Sequence, residues 1–310
     1  MAEEVLYLKH RPKTLDEIVG HKEIVQVLGS QLSGKSQQPL PKSILFHGPT
    51  GCGKTTLGRI VAREIGAKGA DLREIDAADF RGIDTIRDIR KQSAYKPIEG
   101  AFRVWILDEC HRLTSDSQSA LLKALEDTPK HVYYILCTTE PQKLLPTIRG
   151  RCADFQLKPL SEREMKQLLR RVVKAEKETL DKDVYDQIIQ DSMGLPRNAL
   201  QILSQVLAVE ESERLLVAKR TAEAHSATIE LCRALVGGAN WKEVTSILKG
   251  LKDEDPEKVR RSVLGYCQSV LLNESRNDGV AAIMEEFIEP FYNSGFPGLT
   301  LACYTVMFGE

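Results

Sequence analysis

The segment GPTGCGKTT, residues 48–56, constrains this chain more than any other. It follows the apolar run Ile44-Leu45-Phe46 and opens onto a helical stripe of Leu57, Val61 and Ile65. Strand, glycine loop and helix in that order is the setting in which G-x-x-x-x-G-K-[ST] forms a phosphate cradle. Gly48, Gly51 and Gly53 let backbone N–H groups turn inward around phosphate oxygens, and the helix N-terminus adds its partial positive charge. The loop presents Thr50, Gly51, Cys52, Gly53, Lys54, Thr55 and Thr56 to a nucleotide. Lys54 is expected to reach the β- and γ-phosphates, and the Thr55 hydroxyl to ligate magnesium. The ligand is ATP or GTP.

At 310 residues the chain exceeds a typical single core, so two or three domains are expected. An apolar content of 42% is ordinary for a soluble globular protein. No run approaches the length that spans a bilayer, and the acidic start MAEEV lacks the basic and apolar segments of a signal peptide. A cytoplasmic or nucleoid-associated protein without membrane contact is expected. Seven cysteines with no C-x-x-C pair indicate neither a disulfide framework nor a zinc cage. Charge is unevenly spread: residues 226–310 hold 8 Lys+Arg against 12 Asp+Glu, so the preceding part carries the positive balance. Nucleic-acid contacts are therefore expected from local patches before residue 226.

The first 160 residues alternate strand and helix signals, predicting an α/β layer with a mostly parallel sheet. Strands are expected at 43–47, 72–76, 103–108, 132–138 and 154–157, with helices at about 23–31, 55–65, 83–94 and 116–125, the last opened by Asp116. Beyond Pro159 the strand signals stop. Ser161 with Glu164 makes a capping box for a helix to about Lys177, and helices follow near 182–192 and 196–207. The remainder reads as helices around 226–236, 241–251, 256–272, 279–292 and 297–308. The domain boundaries fall at 160/161 and 224/225.

VWILDECH, residues 104–111, is an apolar strand ending in two carboxylates. Asp108 can hold magnesium directly or through water, and Glu109 can orient and deprotonate the attacking water. Alone the pattern is a common solvated strand end; after an intact phosphate loop it reads as the second half of an ATPase. His111 reads as a cap or packing residue. By charge alone, Arg81, Arg87, Arg90 and Lys91 make a solvated helix face paired with Asp84 and Asp88.

From Tyr7 to Val206 the motifs, taken in order, resemble the replication clamp loaders of the AAA+ ATPase superfamily: the bacterial DNA polymerase III gamma/tau type and the small subunits of replication factor C. HRPKTLDEIVG (10–20) resembles the family's segment against adenine, and IDAADFRGIDTIR (75–87) the segment facing DNA. Thr139 falls at the polar sensor 1 position, Arg151 at the arginine of the Ser-Arg-Cys signature, and GLPRNAL (194–200) resembles sensor 2, carried by Arg197. Gly150 replaces the usual serine, and Arg149 stands close enough to compete with Arg151. The short connection 66–72 lacks the four-cysteine zinc module of the gamma/tau pattern, which leans toward the replication factor C or bacteriophage type.

The resemblance implies an AAA+ ATPase domain with a five-stranded parallel sheet, a small helical lid and an all-helical collar. It implies His10 and Val19 at the base, Arg197 at the γ-phosphate, Thr139 beside the attacking water and Arg151 as a finger for a neighbouring subunit. It makes Arg81, Gly82, Arg87 and Lys91 sequence-independent DNA contacts, with 114–118 also facing the duplex. Ile89 and Tyr95 become either candidate apolar contacts to a sliding clamp or ordinary core residues, and Tyr266, Val270 and Leu271 pack either within the collar or against a neighbour. The function implied is ATP- and magnesium-dependent loading of a sliding clamp onto primer–template DNA, within a pentameric assembly of loader subunits. Alternatives are a Holliday-junction branch-migration helicase, a recombination-associated ATPase, or a loader subunit that binds nucleotide without hydrolysing it.

Overall fold

The computed structural model describes residues 5–252, 254–273 and 277–309. Contacts divide the chain into two units, Met1–Val209 and Glu210–Glu310. The first is built on a sheet of five strands in the order β2-β3-β4-β1-β5. These are β1 (Ser43–His47), β2 (Leu72–Asp76), β3 (Arg103–Asp108), β4 (Val132–Thr138) and β5 (Ala153–Gln156), all parallel. Four spans coincide with the expected strands, and the fifth is displaced by one residue. Every residue of β4 is buried, as is β3 up to Asp108. Their near-continuous apolar runs are what a parallel strand covered on both faces requires.

The cover comes from helices α1 (Leu6–Lys9), α2 (Lys22–Leu32), α3 (Lys54–Ile65), α4 (Ile83–Ser93), α5 (Ser115–Glu126) and α6 (Pro146–Arg149). Leu28 of α2 and Leu57 and Val61 of α3 pack with Phe46, Ile106 and Ile135 on one side of the sheet. Ile86 and Ile89 of α4 and Leu121 of α5 pack with Leu107 and Leu136 on the other. Thr114, not Asp116, caps α5: its Oγ1 accepts from the Ser117 N–H at 3.2 Å.

Asp71 is a buried joint just before β2. It has no exposed surface, and it accepts from the N–H groups of Ile98, Glu99 and Gly100 at 2.7–2.9 Å and from Arg103 Nη2 at 3.2 Å. Burial alone raises its pKa, but the three N–H donors and Arg103 outweigh burial and lower it to about 2. The folded value lies below the unfolded one, so this stabilisation is full above about pH 4 and is lost as pH falls through about 2. Asp71→Ala is expected to cost about 3–5 kcal/mol, because it leaves Arg103 buried without its carboxylate. Urea denaturation checks the loss, and a variant as stable as wild type at pH 7 would refute it.

Three further helices close the first unit: α7 (Glu162–Ala175), α8 (Lys182–Asp191) and α9 (Pro196–Leu207). The capping box at Ser161 and Glu164 is present. Met165, Leu168, Leu169, Val172, Val184, Ile188, Leu203 and Val206 are among their buried residues, and α1 packs on α9.

The second unit is helical: α10 (Arg214–Val236), α11 (Trp241–Gly250), α12 (Pro256–Asn273), α13 (Asp278–Glu286) and α14 (Gly295–Phe308). The sequence-based boundary at 224/225 falls inside α10, which runs through it unbroken, 15 residues after the division at Val209. The helix expected over 279–292 stops at Glu286. Buried Arg260 donates through Nη1 to the Phe287 and Ile288 carbonyls at 2.8 Å, while Glu257 Oε2 accepts from the Phe291 N–H at 3.1 Å. Those bonds hold the chain out of the helical path that Pro290 also disfavours. Tyr266, Val270 and Leu271 pack against this unit's own core, beside Val263, Cys267 and Phe287.

Candidate active site

Because the strands are parallel and in register, their carboxyl ends meet on one edge: His47 lies opposite Thr138, and Asp76 opposite Asp108. The phosphate loop leaves β1 at that edge, where the Gly48 N–H donates to the Thr138 carbonyl at 3.3 Å. Gly48, Gly51 and Gly53 have φ of 145°, 79° and 105°, a region where a side chain is strained. A Cβ on Gly48 would lie 2.1 Å from the Leu157 carbonyl oxygen, whereas one on Gly53 would meet nothing within 4 Å. The loop is thus shut on its protein side and open at the head of α3, as a phosphate-binding loop must be.

Lys54 is 6% exposed and folds over the loop, donating to the Gly48 and Pro49 carbonyls at 3.0 Å each. Thr55 Oγ1 donates to Asp108 Oδ2 at 2.6 Å, and the Glu109 N–H donates to Asp108 Oδ1 at 3.0 Å. A hydroxyl and a carboxylate meeting beside a phosphate loop form the hard-oxygen donor set of magnesium. The residues present therefore fit a magnesium nucleotide. Cys52 is buried, and burial raises its thiol pKa, so it packs as a small hydrophobe and lends only its backbone.

Glu109 adopts φ 47°, ψ 37°, a left-handed conformation costing about 1–3 kcal/mol for a residue with a side chain. Thr139 Oγ1 donates to Glu109 Oε2 at 3.4 Å. His111 stands between carboxylates, with Nδ1 3.3 Å from Glu109 Oε2 and 3.1 Å from Thr138 Oγ1, and Nε2 3.4 Å from Glu140 Oε1. Sequence reading placed it as packing; its position two residues past Glu109 was the signal of this bracing role.

A cavity of about 330 Å³ runs from the loop to an apolar end lined by Ile18, Val19, Leu160, Leu168 and Leu200. The expected His10, Val19, Thr50, Gly51, Cys52, Gly53, Lys54, Thr55, Thr56, Asp108, Glu109 and Arg197 all line it. Arg197 is brought there by α1 packing on α9, and its guanidinium lies 5.8 Å from the Tyr7 ring centroid. His21 Nε2, on a residue of the same lining, is buried and has no hydrogen-bond partner among the described residues. Arg11 and Arg171 were not singled out from sequence. Arg11 Nε donates to Thr56 Oγ1 at 3.1 Å, and Arg171 Nη1 to the Glu17 carbonyl at 2.6 Å. Only the fold reveals that they line the cavity.

The other expected residues lie apart. Arg151 is absent from its own cavity: Nη1 donates to the Thr147 carbonyl at 3.1 Å, and Nη2 pairs with Glu126. Arg149 is exposed and without an ion pair among the described residues. Arg81 and Gly82 are exposed at the head of α4, where the Arg81 carbonyl accepts from Ser117 Oγ at 2.8 Å. Arg87 pairs with Asp84 at 3.0 Å and Lys91 with Asp88 at 3.6 Å, both on the surface. Ile89 is only 1% exposed and belongs to the core, so it cannot serve as an exposed plug. Tyr95 is 71% exposed, and Ile98, which sequence reading passed over, is 76% exposed on the loop that Asp71 holds. Within 114–118, Ser117 and Gln118 are buried, and Gln118 bonds to the backbone of Leu113, Lys143 and Leu145 instead of facing outward.

The family described as "DNA polymerase III, delta subunit" matches residues 67–161. The chain is 31% identical over 277 residues to DNA polymerase III subunit gamma of Buchnera aphidicola subsp. Schizaphis graminum, covering 83% of this chain and 72% of that protein. It is 37% identical over 208 residues to the replication factor C small subunit of Methanococcus maripaludis, covering 66% and 65%. With DNA polymerase III subunit gamma/tau of Mycobacterium tuberculosis it shares 36% over 226 residues, 66% of this chain, and it spans only 39% of that relative's length. Among solved structures, the Thermotoga maritima RuvB Holliday junction branch migration motor superposes with a TM-score of 0.59 at 21% identity, covering 73% of this chain and 79% of the other. At that identity the likeness is one of fold.

Proposed function

Because this chain belongs to the AAA+ clamp-loader ATPase family, we propose that it is an ATPase subunit of a sliding-clamp loader acting on primer–template DNA. The observation that carries the reading is the convergence of Lys54, Thr55, Asp108, Glu109 and Arg197 on one cavity from which Arg151 is absent. That set supports a cis phosphoryl-transfer site, and the absence of Arg151 from the lining supports its action on a neighbour's nucleotide.

Lys54 and the loop N–H groups hold the β- and γ-phosphates, and Thr55 with Asp108 holds magnesium, which offsets phosphate charge when bound. The Glu109 carboxylate takes a proton from water as its oxygen bonds to the γ-phosphorus, and the bond to the bridging oxygen breaks to give ADP and phosphate. Thr139 and His111 position that carboxylate. Arg151 reaches a neighbouring subunit's nucleotide, so the active form is an oligomer, for which a pentamer is the family's arrangement. Arg197, on the lid helix α9, senses the γ-phosphate. Arg81, Gly82, Arg87 and Lys91 follow DNA phosphates, their exposed pairs to Asp84 and Asp88 being worth only about 0–1 kcal/mol each. Tyr95 and Ile98 form the contact to the clamp.

The test is ATP turnover of the full chain with its partner subunits, with and without clamp and primer–template DNA. At least tenfold stimulation by clamp and DNA together is expected. Stimulation by branched DNA alone, indifferent to clamp, would replace this reading with a branch-migration motor, and flat rates would remove it.

A further inference from the structure

The outward face of α7 carries a column of cations that neither the nucleotide site nor the α4 contacts use. Arg163, Lys166, Arg170 and Lys174 recur at intervals of three, four and four residues, which stacks them on one side of a helix. Lys177 follows just past the helix end. Met165, Leu168, Leu169, Val172 and Val173 are buried on the opposite face and fix the orientation. Arg163, Arg170, Lys174 and Lys177 are exposed and have no ion pair among the described residues; Lys166 reaches Asp186 at 3.4 Å.

Of the acids beside this column, Asp186 reaches Lys166 alone and Glu162 is exposed on the first turn, while Glu164 and Glu176 are committed elsewhere. Glu164 accepts from the Ser161 N–H at 2.9 Å and Oγ at 2.7 Å, and Glu176 is held by Lys9 at 2.7 Å and by His10. The column thus keeps its charge. Lys166 with Arg170, and Arg170 with Lys174, are like-charged i,i+4 neighbours, an arrangement that works against the helix. A face selected only for solvation and stability would alternate its signs. An ordered row of anions relieves the repulsion.

We infer that α7 is a second nucleic-acid track, binding the phosphate backbone of duplex DNA independently of sequence. The column spans about 17 Å at 1.5 Å per residue, and because a strand winds as it rises 3.4 Å along the axis per phosphate, a straight column of that length follows about two to three phosphates of one strand. The helix contains no aromatic side chain, so it offers no stacking platform for unpaired bases. The inference rests on DNA being the loader's polyanion, but it assigns contacts on a different helix from Arg81 and Arg87.

The test measures binding of the full chain to a fluorescent 30-base-pair duplex between 50 and 200 mM KCl. It compares wild type, the triple variant R163Q/R170Q/K174Q, and R81Q/R87Q. Arg171 is left intact because it lines the nucleotide cavity. In the triple variant, affinity at 50 mM KCl should fall at least tenfold and the log–log salt slope by about 2–3, at about 0.9 for each phosphate no longer neutralised. Basal ATP hydrolysis should be unchanged, and the thermal midpoint equal to or above wild type because repulsion is removed. Wild-type affinity and slope in the triple variant would overturn the track, whatever R81Q/R87Q does. Loss confined to the triple variant would support the track and remove the α4 contacts instead. Loss in R81Q/R87Q alone would leave the α4 contacts standing and remove the track.

Discussion

Glu109→Gln is expected to slow ATP hydrolysis by about 10²–10⁴-fold, the range a positioned general base supplies, while ATP affinity stays within about threefold of wild type. The amide keeps the size of the carboxylate and can still accept from Thr139, but it cannot take a proton from water. Glu109 is held in a left-handed conformation with Thr139 and His111 against its side chain, so its carboxylate is positioned by protein contacts. Lys54, Thr55 and Asp108, proposed to hold phosphates and metal, are untouched, and that separates the rate from the affinity. Single-turnover hydrolysis and nucleotide titration check the two halves. A variant within tenfold of the wild-type rate would place the base elsewhere.

Arg151→Ala is expected to lower turnover of the assembled protein by about 10³–10⁵-fold, the contribution of an arginine finger in related phosphoryl transfer. The side chain is about 40% exposed, as is its partner Glu126. An exposed pair of that kind is worth only about 0–1 kcal/mol, so releasing Arg151 to a neighbour costs little. Action in trans gives a sharper outcome. Mixing Arg151→Ala with Glu109→Gln should restore turnover, because the first variant supplies an intact cis site and the second an intact finger. Two inactive proteins that stay inactive when mixed, while still assembling, would show that Arg151 serves its own nucleotide or only structure. Arg149, one residue before Gly150, is exposed as well, and Arg149→Ala should change the rate less than tenfold if Arg151 is the finger.

Legibility from sequence followed how local each feature is. The strands β1, β3 and β4 were readable to the residue because each is an apolar run bounded by loop chemistry, whereas β2 is a half-exposed edge strand with apolar residues only at Leu72 and Ile75. The phosphate loop was readable because its conformation is written in the positions of three glycines. The helix over 279–292 was misjudged because its stop at Glu286 comes from Arg260 and Glu257, more than 25 residues earlier in the chain. Ile89 stood open between clamp contact and core for a related reason: periodicity puts an isoleucine on a face, but only packing against the sheet decides that this face is covered. Arg11 and Arg171 escaped notice because their partners lie 45 and 154 residues away, and His111 was read as a cap or packing residue because the bracing it gives Glu109 is completed by Thr138, 27 residues away.

By itself the sequence determined the parts: a phosphate-binding loop, a strand ending in the two carboxylates proposed to hold metal and accept a proton, and a helical remainder after Pro159. These are short-range properties, set by backbone freedom at glycine, by the oxygen donors on adjacent residues and by apolar period. Only the tertiary structure decided which cations share the nucleotide's cavity, that Arg151 does not, that Gln118 turns inward, and where the chain divides. Those outcomes are fixed by parallel register, which brings strand ends together from distant segments, and by burial, which no residue possesses until its neighbours are in place.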